Sequence, residues 1–349
     1  MFIISSIVRP WSTAAVRCWR CCRWRNQEKL PRNPVLSEAR VSRNDPAIRV
    51  EALTKYYGQL RAVDGISFEV QRGEFFGLLG PNGAGKTTTV RILTGVIRAD
   101  GGRAFILGHE AGSLPAKQAA GVVPEVANPY LDLSGWNNLM LMAELYGVPR
   151  RVAQERATQL LEQVGLLERK DDLTRRYSKG MKQRLLLCLA LISEPEVLFL
   201  DEPTSGLDVQ SARLIKNLLR QLNREGKTIF LTTHNLEEAN QLCDRVAIID
   251  RGKLVAMDAP EKLRLAIRHH HSIEVSFEDR VSTENLAELP GVDRVEQMGD
   301  KYRLYTSEPG EVVVALVNYS CCQGCKIISL NTLAPSLEDA FLAFTENKS

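Results

Sequence analysis

Residues 80–87 read "GPNGAGKT", glycines and a lysine at the spacing G-x-x-x-x-G-K-[ST]. Glycine leaves its backbone N–H uncovered, and successive uncovered N–H groups can curl around phosphate oxygens. The lysine of such a loop reaches the β- and γ-oxygens of a nucleotide, and the hydroxyl after it meets Mg²⁺. Gly80, Pro81, Asn82, Gly83, Ala84, Gly85, Lys86, Thr87 and Thr88 are therefore expected to hold the phosphates of ATP, with Thr87 also on the metal. The loop follows "EFFGLLG", which reads as a buried strand, and feeds the helix that opens "KTTTVRIL". That strand–loop–helix setting is what the chemistry requires.

A second chemical group closes another apolar run, "VLFLDEP". Asp201 and Glu202 fall at the C-terminal edge of this strand, where open α/β sheets bind their ligands. Asp201 is suited to hold Mg²⁺ through water, leaving Glu202 to orient and polarise the water that attacks the γ-phosphate. A third apolar strand, "TIFLTTH", ends in His234, which can donate to a γ-phosphate oxygen and so sense its presence.

"RRYSKGMKQRLLL", residues 175–187, then poses a problem. Ser178 and Gly180, beside basic residues and the start of an apolar helix, form a second place that a phosphate would favour. One chain thus carries two phosphate-binding features.

The elements that must position these residues follow from the apolar pattern. "AIRVEALTKYY" and "VDGISFEV" alternate as antiparallel strands, and "GRAFILG" and "GVVPE" are short strands. Residues 134–193 read as helical, broken at Gly147-Val148-Pro149 and near Asp171-Asp172. Helices at 208–225 and 235–242 alternate with the strands "VLFLD", "TIFLTTH" and "RVAIID", and "KLVAMD" follows the turn at Arg251-Gly252. Alternating strands and helices argue a mostly parallel α/β sheet, with 134–193 inserted as a helical subdomain. After "EKLRLAIR" and the triple histidine 269–271, read as a solvated linker, the texture changes. Residues 272–349 read as β-α-β-β-α-β and a last helix, the order of a ferredoxin-like α+β domain.

Bulk composition narrows the function class. The chain has 349 residues, 44% hydrophobic and 25% charged, which is ordinary globular composition with room for two domains. No run approaches the roughly 18 apolar residues of a membrane-spanning helix, so a membrane role would go through a partner. The net charge of +3 is concentrated at one end. Residues 1–47 hold nine Arg and Lys against three Asp and Glu, a net of +6, which leaves −3 for the rest. The mildly acidic remainder gives no support to nucleic-acid binding. Residues 1–47 show no helical or strand period and are expected to be a disordered basic extension. Cys18 and Cys21, like Cys322 and Cys325, have zinc-like spacing, but the pairs lie about 300 residues apart without flanking ligands, so no shared metal site is expected. Cys188 and Cys243 are expected in the core, and nothing demands an oxidising compartment.

Over residues 48–265 these motifs, in this order, resemble the nucleotide-binding subunits of ATP-binding-cassette (ABC) transporters. "YSKGM" matches the signature that sets this family apart from other phosphate-loop proteins. The resemblance implies a phosphate-loop ATPase cassette at 48–268, with an antiparallel β subdomain and the inserted helices. It also implies that two subunits pair head to tail, Ser178 and Gly180 of each capping the ATP on the other's loop. The second subunit is read as a copy of this chain. Tyr57 matches the aromatic that stacks on adenine, with Tyr56 as the alternate. Ser205-Gly206-Leu207-Asp208 matches the loop that crosses the dimer interface, and Asp208 is also placed to cap its helix. Two positions depart from the common pattern. Lys179 replaces the first signature glycine, and Glu125 stands where most members have a glutamine that touches Mg²⁺ and relays to the permease. "YSKGMKQR", the "PE" variant and "SLEDAFLAF" resemble the daunorubicin-resistance and sodium-export branch. That branch implies export through an integral-membrane permease on a separate chain, with this subunit in the cytoplasm against the inner face of the cell membrane. The alternatives are a soluble ABC ATPase without a transport role and a regulatory ABC protein.

Overall fold

The computed structural model describes residues 45–126, 128–266, 271–333 and 337–346. The basic segment up to residue 44, with Cys18 and Cys21, and His269-His270 of the triple histidine lie outside the described residues.

Three sheets organise the chain. The first is antiparallel, in the order β2-β1-β4-β5, from β1 (Ile48–Tyr57), β2 (Leu60–Val70), β4 (Gly101–Ile106) and β5 (His109–Glu110). The second has the order β10-β9-β3-β8-β7-β6, from β3 (Phe75–Leu79), β6 (Ala120–Val123), β7 (Val197–Asp201), β8 (Thr228–Thr233), β9 (Arg245–Asp250) and β10 (Lys253–Asp258). All its neighbours are parallel except the β9–β10 hairpin. Every residue of β3, β7 and β8 is buried. Helices or a second sheet cover both faces of such a sheet, which is why these strands are unbroken apolar runs.

One face of the parallel sheet packs on the antiparallel sheet and on α1 (Lys86–Leu93) and α2 (Leu114–Ala119). Phe76 and Phe230 stack with ring centroids 5.6 Å apart in this layer, and Phe68 and Phe199 flank them. The other face carries α3 (Gly135–Leu145), α4 (Arg150–Gln163), α5 (Lys179–Leu191), α6 (Val209–Arg224), α7 (Leu236–Leu242) and α8 (Pro260–Leu265). Their apolar stripes explain their seating: α4 buries Ala153, Ala157 and Leu161, each four residues from the last, and α6 buries Ile215, Leu218, Leu219 and Leu222. Cys188 and Cys243 are buried here, and burial pushes the Cys188 thiol up to about 12.

The third sheet is antiparallel, in the order β12-β13-β11-β14, from β11 (His271–Phe277), β12 (Arg294–Met298), β13 (Lys301–Thr306) and β14 (Ile327–Leu333). α9 (Thr283–Ala287) and α10 (Pro309–Gln323) cover its apolar face, with Ile273, Val275, Leu304, Val312 and Leu316 fully buried between them. The last helix, α11 (Leu337–Glu346), does not join that core. Its Leu337, Phe341 and Phe344 pack onto the large core that includes Leu242, Val246 and Leu263. Among the described residues no helix is long and apolar enough to cross a membrane.

Candidate active site

Parallel pairing sets the site. Leu79 of β3 stands opposite Thr233 of β8, and Asp201 of β7 opposite Thr232. The residues just beyond these strand ends therefore emerge side by side: the 80–85 loop, Glu202 and His234.

The loop is shaped by its glycines. Gly83 and Gly85 have φ of 82° and 111°, a region L side chains avoid. A Cβ on Gly85 would collide with the Ala62 carbonyl, and one on Gly80 with the Ile249 carbonyl. Gly85 ends the loop as the cap of α1, and Lys86 is the first residue of that helix.

Lys86 is 6% exposed, and its Nζ donates to the carbonyls of Gly80 (2.6 Å) and Pro81 (3.1 Å). Burial lowers its pKa from the ordinary lysine value, opposed by the charges of Glu202, Asp201 and Glu125. One partly desolvated cation among three carboxylates leaves the site short of positive charge, which suits a divalent cation. The donors are hard oxygens: the Asp201 and Glu125 carboxylates and the Thr87 hydroxyl. No three His, Cys, Asp or Glu among the described residues converge closely enough to hold an ion by themselves. The hard-oxygen donor set fits Mg²⁺, which takes one or two carboxylates and draws its remaining ligands from phosphates and water.

Asp201 is 2% exposed and accepts a hydrogen bond from the Thr232 hydroxyl. Glu202 is also buried, and its φ of 51° lies in the left-handed region, uncommon for a residue with a side chain. Its N–H donates to Thr232 O (3.1 Å), and its own carbonyl accepts from Ser205 N (3.2 Å). Two nitrogens flank the carboxylate: Oε2 lies 2.8 Å from His234 Nδ1 and Oε1 lies 3.7 Å from the Lys86 ammonium. The imidazole itself is more than half exposed.

A cleft of about 410 Å³ joins most of the expected residues. It runs from Tyr57 over Pro81, Asn82, Gly83, Gly85, Lys86, Thr87 and Thr88 to Glu125 and Glu202. Tyr56 is not on its lining. Its N–H donates to Asp100 (2.6 Å) and its ring lies under Arg61, because neighbouring strand residues point to opposite faces. Leu60 and Ala62 line the cleft beside Tyr57, and the sequence reading missed both.

Ser178, Gly180 and Asp208 are not on the cleft's lining; they form a second group. The Ser178 hydroxyl caps α5, accepting from Met181 N (3.2 Å), and Asp208 caps α6, accepting from Ser211 N (2.8 Å). That N–H, with the Ser211 hydroxyl, holds the Asp208 carboxyl below its usual range. A Cβ on Gly180 would collide with Ser211 Oγ and stand 2.9 Å from Ser211 Cβ. Glycine here lets the two capped helix starts touch. Lys179 Nζ occupies the space where Gly206 would carry a Cβ, so the signature and the 205–208 loop are packed as one surface.

Known proteins resemble this chain over most of its length. The ABC transporter family matches residues 63–205. The Nod factor export ATP-binding protein I of Ralstonia nicotianae is 38% identical over 308 residues, 86% of this chain and 94% of that protein. A daunorubicin resistance ATP-binding protein of Streptomyces coeruleorubidus is 38% identical over 315 residues, 86% of this chain and 96% of its own. Among solved structures, the ATP-binding subunit of an ABC transporter superposes with a TM-score of 0.59 at 29% identity, covering 63% of this chain and 92% of that one. With its phosphate loop, paired carboxylates and signature in place, the chain belongs to the ABC transporter family, as the subunit that binds and hydrolyses ATP.

Proposed function

We propose that this chain energises export: it hydrolyses ATP in sites shared by two copies paired head to tail, and drives a membrane permease on a separate chain. The carrying observation is the separation of the two phosphate-binding groups. Ser178, Gly180 and Asp208 share one surface, and none of them lines the cleft of Lys86 and Glu202. Each group is half of a site, completed by the other copy.

In this reading Tyr57 stacks on adenine while the 80–85 amides and Lys86 bind the phosphates. Thr87, Asp201 and Glu125 would hold Mg²⁺, which when bound withdraws charge from the phosphate oxygens. Glu202 orients the attacking water and takes its proton. His234 in its imidazolium form would donate from Nδ1 to Glu202 and from Nε2 to a γ-phosphate oxygen. The cassette spans 48–268 with helical subdomain 134–193. The β12-β13-β11-β14 order supports a ferredoxin-like assignment for the accessory domain 272–349.

Relatives named for Nod factor export and daunorubicin resistance support export, and hence a place at the cytoplasmic face of the cell membrane. Surface chemistry supports a permease partner. Val126, Tyr130 and Leu131, between Glu125 and the inserted segment, and Leu145 and Tyr146 at the end of α3 are exposed apolar side chains available to such a partner.

Complementation tests the shared site. Ser178→Arg keeps ATP binding and loses hydrolysis. Mixed with Lys86→Ala it regains turnover, because one shared site stays whole. Wild-type hydrolysis by Ser178→Arg alone would refute the head-to-tail reading.

A further inference from the structure

Glu238 is 1% exposed, a buried carboxylate that the chemistry above does not use. It lies in the first turn of α7, three residues after the cap Asn235, whose side chain accepts from Glu238 N (3.0 Å). At that position a glutamate commonly turns back to the cap's own N–H. Here the Asn235 N–H is already taken by Thr233 Oγ1 (3.0 Å). The Glu238 carboxylate instead accepts from Thr204 Oγ1 at Oε1 (2.8 Å) and from Thr233 Oγ1 at Oε2 (3.0 Å).

Those two threonines are the neighbours of the reacting pair. Thr233 immediately precedes His234. Thr204 sits in the turn that closes on Glu202, where Ser205 N meets Glu202 O, and its own carbonyl accepts from Leu207 N (3.2 Å) as the chain runs on to Asp208. We infer that Glu238 is a positioning residue for hydrolysis: its buried carboxylate clamps the Glu202 turn to the strand end that carries His234, and so fixes the 2.8 Å contact between them. The inference rests on the reading of Glu202 as the group that orients water. Glu202 holds an unfavourable φ, so its side-chain direction depends on what braces the backbone beside it. The Thr233 bond is buried and the Thr204 bond partly buried, and hydrogen bonds to a carboxylate strengthen as water is excluded. Because Thr204 leads into the 205–208 loop, the same clamp ties the cleft to the surface that carries Ser178 and Gly180.

The test removes the clamp without touching the cleft. Thr204→Val takes away one donor, Glu238→Ala takes away the carboxylate, and Glu238→Gln can still accept from one threonine and donate to the other. Single-turnover hydrolysis, ATP affinity and Tm are measured for each, alone and with Glu202→Gln. Misplacing a catalytic group by a small distance costs up to about 10²-fold in rate. Thr204→Val and Glu238→Ala are expected to lose about tenfold to 10²-fold in rate, with ATP affinity retained and Glu238→Gln restoring most of it. Neither should slow the Glu202→Gln chain further, since the group they position is already disabled. An unchanged rate for Thr204→Val, an equal loss in both backgrounds, or a loss seen in ATP affinity rather than rate overturns the inference. Wild-type hydrolysis by Glu202→Gln removes the base reading and this inference with it. A slow Glu202→Gln beside a full-rate Thr204→Val removes this inference alone.

Discussion

His234 Nδ1 lies 2.8 Å from Glu202 Oε2, and the other oxygen of that carboxylate lies 3.7 Å from Lys86 Nζ. The imidazole and the lysine ammonium thus fix the direction of the carboxylate proposed here to take the proton from water. Glu202→Gln keeps the shape and removes the basicity. Loss of a positioned base costs about 10² to 10⁴ in rate, while Lys86, Thr87 and Asp201 still bind Mg·ATP. Slow hydrolysis lets the ATP-bridged pair accumulate, so Glu202→Gln should elute as a dimer in Mg·ATP where wild type elutes as a monomer. Asp201→Asn weakens the metal site and should trap less dimer. A Glu202→Gln chain that binds nucleotide and stays monomeric would remove the assignment.

Gly180 offers a test of the second surface. A methyl there meets Ser211 Oγ and Cβ at the cap of α6, so Gly180→Ala must push the two helix starts apart. Overpacking of this kind costs about 1–3 kcal/mol. The expected result is a lowered Tm and reduced hydrolysis with unchanged ATP affinity, because the cleft does not include Gly180. Unaltered Tm and turnover would show that the contact yields without effect.

The positions of the strand-end residues were legible because fully buried parallel strands lead to them, and an apolar run with an abrupt polar end marks the end of such a strand. The hairpin wall formed by Leu60 and Ala62 was not, since its role depends on how β1 and β2 fold back over the loop. Helix α2, six residues opened by Ser113 and Pro115, is too short to show a helical period, and two-residue β5 has none. Glu238 was hidden for a different reason. Asn235 and Glu238 have the spacing of an ordinary helix start, and only the three-dimensional positions of Thr204 and Thr233 reveal where the carboxylate turns.

The two adjacent tyrosines make separable predictions. Tyr57 lines the cleft and Tyr56 does not. Stacking of a base on an aromatic side chain is worth about 1–3 kcal/mol by alanine substitution. Tyr57→Ala should therefore weaken ATP binding by about fivefold or more, and lose discrimination between ATP and a triphosphate lacking a base. Tyr56→Ala should leave both unchanged in an equilibrium binding titration. Equal effects at both positions would mean that adenine lies elsewhere.

Leu337 tests how the last helix is used. It is 4% exposed, and with Phe341 and Phe344 it packs on the core that contains Leu242 and Leu263, not on the core of the third sheet. A leucine so buried costs about 2–5 kcal/mol when cut to alanine. If the helix is part of the ATPase core, Leu337→Ala should lower the same melting transition that ATP raises, since a ligand stabilises the unit that binds it. Leu316→Ala, inside the third sheet's core, provides the contrast. It should disturb the ATP-protected transition less, because none of its packing partners reaches the cleft. A Leu337→Ala chain whose ATP-protected transition is unmoved, or one matched by Leu316→Ala, would show that α11 belongs energetically with the third sheet.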